Sequence, residues 1–424
     1  MQLKNWRVLA PSAVCCTLVS GLIAFAAAAE LRAPHAAARP AQGAKSRFVA
    51  PAEVDGLALL KRARVENEKL WSTLESGERA LLTLDPTLQA HVEKLFAQYQ
   101  VPAAALVAIE PSTGRILAYV SHSFPNGPTI DRAIDSSPPA ASVFKVITSA
   151  ALIDAGVSPE TRMCYGGGAS SLQPVDLVDN PKRDRTCVTL AYALGHSTNA
   201  VFAKLASRKL DPAALQRYAD LFGFGKPLTT ELRATAGACD VPEQSLEFAR
   251  TAAGFWHSHL SPLHAALIAA TIANGGVMPH ASMIERVVAP DGRLLHSRAS
   301  QPGHRVISQA TAREVGQMML RTVSEGTAHD AFYDRGRPFL GNVSVAGKTG
   351  SLSGSDPYRA YSWWMGFAPA NDPQVALAAL VVNGSLWRIK SSFVARDALM
   401  TALPPQCGKS GRNSDPRCAK TQRK

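Results

Sequence analysis

Three short motifs occur in order along the chain, and their residue types could together carry out acyl transfer. Ser142 and Lys145 form S-x-x-K, Ser197 and Asn199 form S-x-N, and Lys348 begins the triplet K-T-G. Each motif alone is short enough to occur by chance in a chain of 424 residues. Their occurrence in this order, each in a matching local context, indicates a serine nucleophile that is activated by a lysine base.

The first motif has the spacing of a nucleophile and its base. Positions i and i+3 of a helix share a face, so a predicted helix over 141–155 brings the Lys145 amine within reach of the Ser142 hydroxyl. A lysine can accept a proton only if its pKa is lowered, which burial and a second cation, here Lys348, would achieve. The alternative of a solvated helix lysine is disfavoured, because the neighbours of Lys145 are apolar.

The second motif lies at the start of a predicted helix, after Leu194-Gly-His. Taken alone, polar residues in such a position more often cap the helix than catalyse a reaction. Beside the other two motifs we interpret Ser197 as the proton relay to a leaving amine. Asn199 is interpreted as the residue that holds Lys145 and a substrate amide.

The third motif continues a β-branched, apolar run and predicts an edge strand, beside which a peptide can bind as an added strand. Lys348 and Thr349 would then meet the terminal carboxylate of the substrate, and Gly350 would leave room for the peptide. The backbone N–H groups of Ser142 and Ser351 would form an oxyanion hole.

The elements around the motifs predict an α+β fold, in which helices cover both faces of an antiparallel sheet. Asp85 before Pro86 marks one helix start, and Glu110-Pro-Ser-Thr-Gly114 marks a hairpin turn. The predicted helices span 56–74, 86–99, 141–155, 190–205, 263–273 and 393–403. The predicted strands span 104–109, 116–121, 343–346, 362–367 and 375–382.

The beginning of the chain predicts export from the cytoplasm. Lys4 and Arg7 precede an uncharged run from Val8 to Ala29, which is typical of a secretory signal peptide or a membrane anchor. The length of the run favours an anchor and its final alanines favour cleavage, so both alternatives stay open. The predicted organisation is a signal or anchor over 1–29, a flexible tether with a short helix over 30–80, a catalytic domain over 81–403 and a basic polar tail over 404–424.

The net charge of +12 indicates attraction to a polyanionic surface, such as membrane lipid or cell-wall polymer. The basic residues are scattered and no nucleic-acid motif accompanies them, so the sequence predicts no nucleic-acid partner. Zinc is disfavoured as well: His257 and His259 form H-x-H, but no further ligand has metal-like spacing and no C-x-x-C pair occurs. Serine chemistry requires no metal or other cofactor.

The cysteines suit an oxidising compartment, in which disulfides persist. Cys164 and Cys187 flank a loop rich in Gly, Pro and Asp, and Cys407 and Cys418 bracket the polar tail. Local pairing would close two loops and leave Cys239 free. The alternative, in which all five thiols stay reduced, remains open at this point.

Over roughly residues 80–403 the sequence resembles the transpeptidase domain of penicillin-binding proteins. Besides the three motifs, the resemblance includes Leu82-Thr-Leu-Asp-Pro-Thr-Leu-Gln89, the turn at 110–114, Ile272-Ala-Asn-Gly-Gly276 and Glu325-Gly-Thr327. It implies the fold shared by penicillin-binding proteins and β-lactamases, a D-Ala-D-Ala stem peptide of peptidoglycan as donor, an acyl-enzyme on Ser142 and inhibition by β-lactam antibiotics. It also implies a location in the bacterial cell envelope, in the periplasm or anchored to the inner membrane.

Two departures from the family pattern limit what the resemblance implies. Where the family usually carries a glycine-rich element, this chain has Gly254-Phe-Trp-His-Ser-His-Leu260. The segment before residue 80 is also too short for a pedestal or glycosyltransferase domain, so we expect a glycosyltransferase partner to be recruited separately. A D,D-carboxypeptidase, a serine β-lactamase and a non-catalytic β-lactam sensor or scaffold remain alternatives.

Overall fold

A computed structural model describes residues 53–123, 130–299, 301–355, 358–405 and residue 418. The helices in these ranges are α1 (Gly56–Lys61), α2 (Pro86–Tyr99), α3 (Lys145–Asp154), α4 (Leu190–Gly195), α5 (Asn199–Lys209), α6 (Pro212–Leu221), α7 (Ser245–Ala252), α8 (Pro262–Ala273), α9 (Gln309–Ser324), α10 (His329–Phe332) and α11 (Ser391–Ala402). Short 3₁₀ helices span Ala141–Phe144 and Pro174–Asp176.

The strands in the same ranges are β1 (Ala63–Glu66), β2 (Lys69–Thr73), β3 (Arg79–Leu82), β4 (Ala103–Ile109), β5 (Ile116–Ser123), β6 (Arg162–Tyr165), β7 (Thr186–Thr189), β8 (Ala238–Cys239), β9 (Ser258–His259), β10 (Val277–Met278), β11 (Ile284–Val288), β12 (Leu294–Ser297), β13 (His304–Arg305), β14 (Tyr333–Asp334), β15 (Arg337–Pro338), β16 (Ala346–Ser355), β17 (Tyr358–Ala368) and β18 (Val375–Asn383). Five of them form the central sheet, in the order β16-β17-β18-β4-β5, and every neighbouring pair is antiparallel.

Both faces of the central sheet are buried, which explains why β4 is apolar throughout instead of alternating. Alternate residues of β4 face two different cores: Ala105 and Val107 belong to one, Ala104 and Leu106 to the other. The apolar helix α8 packs on one face of the sheet, and α2 and α11 pack on the other. The structure therefore has the predicted α+β architecture with helices on both faces.

Local sequence rules account for the helix that begins at Pro86. The Asp85 carboxylate accepts hydrogen bonds from the backbone N–H groups of Thr87 and Leu88, and Pro86 occupies the first turn, where no N–H donor is needed. The helix ends at Tyr99, followed by Gln100 in the left-handed conformation. The predicted helix over 86–99 is confirmed.

The predicted helix over 56–74 is wrong beyond its first turn. α1 ends at Lys61, and β1 and β2 follow as a hairpin. β2 pairs with β3 in a second antiparallel sheet, which has the order β1-β2-β3-β11-β12. The hairpin turn consists of Asn67 and Glu68, both at positive φ. Residues 63–80 are thus part of the same compact unit as the catalytic motifs, so the predicted tether does not extend over them.

Two predicted helices near the motifs are interrupted. The helix predicted over 141–155 begins as the 3₁₀ turn Ala141–Phe144, and the helix predicted over 190–205 divides into α4 and α5. Ser197 lies between α4 and α5 with a φ of 58°, a conformation that breaks a right-handed helix. The strand predicted over 343–346 is shifted, because β16 begins at Ala346 and continues through the K-T-G motif to Ser355. The remaining predicted elements are present with small changes at their ends.

Several predictions fall outside the described residues, including the signal or anchor over 1–29, the tether as far as residue 52, Cys407 and most of the tail. Within the part of the chain that the structure describes, no helix is both long enough and apolar enough to cross a bilayer.

Candidate active site

The Ser142 side chain is held on a strained turn at the edge of the central sheet. Ala141, immediately before it, has a φ of 52°, which is unfavourable for a residue with a Cβ. The turn packs closely on Gly254, where a Cβ atom would lie 2.4 Å from the Ala141 carbonyl oxygen. It also packs on Gly350, where a Cβ would lie 3.3 Å from that of Ala141. Both glycines therefore support the position of the nucleophile.

Lys145 lies one turn along, at the start of α3, and is fully buried. Its Nζ lies 2.8 Å from the Ser142 Oγ, 2.7 Å from the Asn199 Oδ1, 2.5 Å from the Ala253 carbonyl oxygen and 3.5 Å from the Ser197 Oγ. A neutral amine has two N–H donors and one lone pair. It can donate to Asn199 and Ala253, which leaves the lone pair to accept the hydroxyl proton of Ser142.

The electrostatic environment favours this neutral form. Burial lowers the pKa of Lys145 well below its usual value, and the nearby charge of Lys348 lowers it further. Lys348 is also fully buried, and burial lowers its pKa to about 7. No carboxylate compensates either ammonium in the ion pairs of the described residues. The site is thus arranged to hold a proton-accepting lysine near neutral pH.

The second motif positions two polar side chains opposite the Ser142 turn. The backbone reverses at Ser197, and α5 begins at Asn199. While the Asn199 Oδ1 accepts from Lys145, its Nδ2 donates to the Ala169 carbonyl oxygen at 2.7 Å. Asn199 therefore links the base to the loop between β6 and β7.

The third motif lies on β16, an edge strand of the central sheet, as expected from the sequence. The Lys348 Nζ donates to the Thr349 carbonyl oxygen at 2.7 Å and lies behind the cleft wall. The Thr349 hydroxyl faces the cleft and lies 2.5 Å from that of Thr327. Thr327 is held in turn by its backbone N–H, which donates to the Gly195 carbonyl oxygen at 3.1 Å.

These parts meet in one cleft of about 530 Å³. It contains five of the residues predicted from the motifs, while Lys145, Lys348 and Gly350 lie directly behind its wall. The lining residues are Ser142, Ala169, Ser197, Asn199, Thr327, Thr349, Ser351, Ser362, Trp363, Trp387, Lys390, Ser391 and Ser392.

Comparison with known proteins identifies the family. The sequence model of the penicillin binding protein transpeptidase domain matches residues 104–401. The chain belongs to this family. The family predicted from the motifs is therefore confirmed.

Relatives and solved structures agree with the family. The peptidoglycan D,D-transpeptidase PbpA of Mycobacterium tuberculosis H37Rv is 30% identical over 313 residues, which is 66% of this chain and 62% of that protein. Stage V sporulation protein D of Bacillus subtilis is 25% identical over 328 residues, 71% of this chain and 49% of that protein. This penicillin-binding chain thus spans less than two thirds of the length of these relatives.

The crystal structure of PBPA from M. tuberculosis superposes with a TM-score of 0.64 and 26% identity, covering 77% of this chain and 81% of that one. The penicillin G acyl-enzyme complex of M. tuberculosis penicillin-binding protein A gives a TM-score of 0.61 and 27% identity over the same shares. The predicted fold class is confirmed.

The loop that carries Ala169 is fixed at its base by a disulfide between Cys164 and Cys187, which lie opposite each other on β6 and β7. Behind it, the buried Lys204 ammonium contacts the Asp184 carboxylate and donates to the Cys164 carbonyl oxygen at 3.1 Å. Among the described cysteines, Cys239 is free. This penicillin-binding protein therefore holds one wall of its cleft with a covalent bridge and a buried ion pair.

The H-x-H pair has separate contacts. The His257 Nε2 lies 3.0 Å from the Glu247 carboxylate, and the His259 Nδ1 lies 2.9 Å from the Ser137 carbonyl oxygen. Within the described residues, no group of three or more His, Cys, Asp or Glu side chains could hold a metal ion.

Some functional contacts could not be read from the motifs. The carbonyl oxygens of Ala253 and Ala169 accept hydrogen bonds from Lys145 and Asn199. Every residue type has a backbone carbonyl, so the sequence could not indicate these two contacts. Thr327 was predictable, since Glu325-Gly-Thr327 is one of the segments that resemble the family. Trp387 and Lys390 line the cleft from a segment that carries no motif.

Proposed function

We propose that this chain is a D,D-transpeptidase that cross-links the stem peptides of bacterial peptidoglycan through an acyl-Ser142 intermediate. The observation that carries the proposal is the 2.8 Å contact between the Ser142 Oγ and a buried lysine amine whose pKa is lowered. The names of the mycobacterial relatives support the choice of substrate.

Acylation begins with a donor stem that lies antiparallel to β16. We assign the terminal carboxylate to the hydroxyls of Thr349 and Thr327, over the charge of Lys348. Lys145 accepts the Ser142 proton while the Oγ attacks the carbonyl carbon of the penultimate D-Ala. The negative oxygen that forms is stabilised by the backbone N–H groups of Ser142 and Ser351.

The intermediate collapses when the C–N bond to the last D-Ala breaks. The leaving nitrogen takes a proton from Lys145, relayed by the Ser197 hydroxyl, which lies 3.5 Å from the Lys145 Nζ. Lys145 is then neutral again. In the second half, the amine of another stem attacks the ester and loses its proton to Lys145, and Ser142 leaves as the hydroxyl.

The location and partners are part of the same proposal. Relatives named for peptidoglycan transpeptidation support an enzyme of the cell envelope, and the net charge of +12 is compatible with a polyanionic wall or lipid surface. We propose that the segment 1–29 holds the protein at the inner membrane, and that a glycosyltransferase partner supplies the glycan strands.

The function can be tested on the purified full-length chain with a labelled penicillin, by following the intact mass over hours. We expect one lasting adduct at Ser142, absent in Ser142→Ala and present in Ser137→Ala, which removes a hydroxyl outside the cleft. Rapid loss of the adduct with release of hydrolysed drug would indicate a β-lactamase instead. A stem-peptide donor with an amine acceptor then separates transfer from hydrolysis, since a carboxypeptidase would yield only hydrolysed donor.

A further inference from the structure

The catalytic cleft has a second polar end, which takes no part in the chemistry above. Lys390, Ser391 and Ser392 line the same cleft as Ser142. Lys390 is the N-cap residue of α11, a helix of 12 residues, and its side chain makes no capping hydrogen bond; Ser391 and Ser392 begin the first turn. The N-terminus of a helix carries a partial positive charge and favours a nearby anion.

The Ser392 side chain has an unused hydrogen-bonding group. The residue is only 5% exposed, yet it lines the cleft. The neighbouring Ser391 hydroxyl lies 3.0 Å from that of Ser362, but within the described chain the Ser392 hydroxyl has no such partner. Ser392 therefore offers a donor to a group that enters the cleft.

Lys390 adds a full positive charge at the same place. Its side chain is exposed and forms no ion pair with any described residue. The residues that line the cleft include no aspartate or glutamate. Lys390 thus has no counter-charge among the described residues of the cleft, and it lies next to the Ser392 hydroxyl and the N-terminus of α11. These groups together favour binding of a carboxylate.

The strand register shows which part of a substrate would reach this end. With the terminal carboxylate at Thr349 and the reacting carbonyl at Ser351, the earlier residues of the donor extend beyond Ser351 toward the end of β16. Ser351 pairs with Ser362 on β17, and the Ser362 Oγ accepts from the Ser391 N–H at 3.1 Å. The residue ahead of the two terminal D-Ala residues thus lies toward the first turn of α11.

We propose that Lys390 and Ser392 form a subsite for a carboxylate on the donor, carried by the residue that precedes the terminal D-Ala-D-Ala. This inference rests on the proposed function, because the direction of the donor follows from it. Lys390 supplies the charge and Ser392 a hydrogen bond. The enzyme accordingly prefers stems whose third residue has a free carboxylate over stems in which that group is amidated.

A matched pair of synthetic penicillins tests the subsite, one with an N-acetyl-glutamate side chain and the other with N-acetyl-glutamine. We expect the glutamate compound to acylate Ser142 of the full-length chain about five- to tenfold faster than the glutamine compound. A rate ratio of this size corresponds to a charge-assisted hydrogen bond that is partly exposed to solvent. Lys390→Gln should lose most of this preference and Ser392→Ala part of it. The control Arg388→Gln removes the same charge two residues away, at a side chain outside the cleft lining, and should keep the preference.

The outcomes separate the two proposals. Acylation of Ser142 at equal rates by both compounds overturns the subsite and leaves the proposed function standing. A preference that survives Lys390→Gln, or that Arg388→Gln removes equally, also overturns the subsite, since the preference would then reflect other contacts or the general charge of the surface. Failure of both penicillins to acylate Ser142 overturns the proposed function and the subsite with it.

Discussion

At the scale of single residues, the site contains two buried lysine amines whose protonation is coupled. Lys145 needs a low pKa to accept the Ser142 proton, and Lys348 contributes to that low pKa by its charge. Lys348 itself lies behind the cleft wall, and its amine contacts a backbone carbonyl of β16. We therefore propose that Lys348 acts on the reaction mainly through its charge.

Replacing Lys348 by methionine removes this charge and keeps an apolar side chain of similar length. The pKa of Lys145 should rise, because the repulsion that disfavours its protonated form is lost. The acidic limb of the acylation rate should move to higher pH, and the rate at neutral pH should fall about tenfold or more. Penicillin acylation of the full-length chain, measured from pH 5 to 10, checks both effects. An unshifted acidic limb would remove Lys348 from the activation of the base.

Stability gives an independent measurement on the same variant. The pKa of Lys348 is about 7 in the folded chain and near 10.4 in an unfolded one. Between these values the unfolded state binds more protons, so this group makes the free energy of unfolding increase with pH. Lys348→Met should lose that increase and should not be less stable than the parent at pH 7.

At the scale of elements, the site depends on close backbone approaches between loops. The Ser142 turn packs on Gly254, and the loop at Gly326 packs on the end of α4, where a Cβ would lie 2.2 Å from the Gly195 carbonyl oxygen. Because a Cβ atom would collide with a backbone carbonyl at either position, Gly254 and Gly326 allow the loops around the site to pack this closely.

Gly254→Ala tests this arrangement against a matched control. Both Gly254 and Gly156 have a φ near 80°, but a Cβ at Gly156 meets nothing within 4 Å. Each alanine should cost about 1–3 kcal/mol of unfolding free energy because of the positive φ. Only Gly254→Ala should also displace the turn that carries Ser142 and slow acylation, which penicillin labelling and chemical denaturation would measure. Equal acylation rates in the two variants would mean that this contact does not position the nucleophile.

The sequence predicted correctly the elements that obey strong local rules: a capped helix at 86, a hairpin at 110–114 and long apolar strands. It failed at β1 and β2, where alternation is weak and the hairpin turn uses Glu68 at a position that usually requires glycine. The prediction also joined α4 and α5 into one helix, since the break between them is the positive φ of Ser197, which a serine does not indicate.

At the scale of the whole molecule, the cleft lies between the central sheet and a layer of helices and loops. The sheet is fixed by burial on both faces. The loop between β6 and β7 is mostly exposed apart from a few buried residues such as Leu172, and its Ala169 carbonyl oxygen accepts a hydrogen bond from the Asn199 amide. The bridge between Cys164 and Cys187 closes this loop at its base.

Removing the bridge should therefore affect stability and activity together. It joins residues 23 apart in sequence, and a chain-entropy estimate for a loop of this size gives about 3 kcal/mol of stabilisation. The double variant Cys164→Ala/Cys187→Ala should lose about that much unfolding free energy. Acylation should slow as well, since a looser loop holds Asn199, and through it Lys145, less firmly. Cys239→Ala, which removes a free thiol, is the control for loss of a cysteine. Denaturation and penicillin labelling of both variants decide the question: a large loss of stability with unchanged acylation would make the bridge purely structural, and no loss of either would contradict its assigned role.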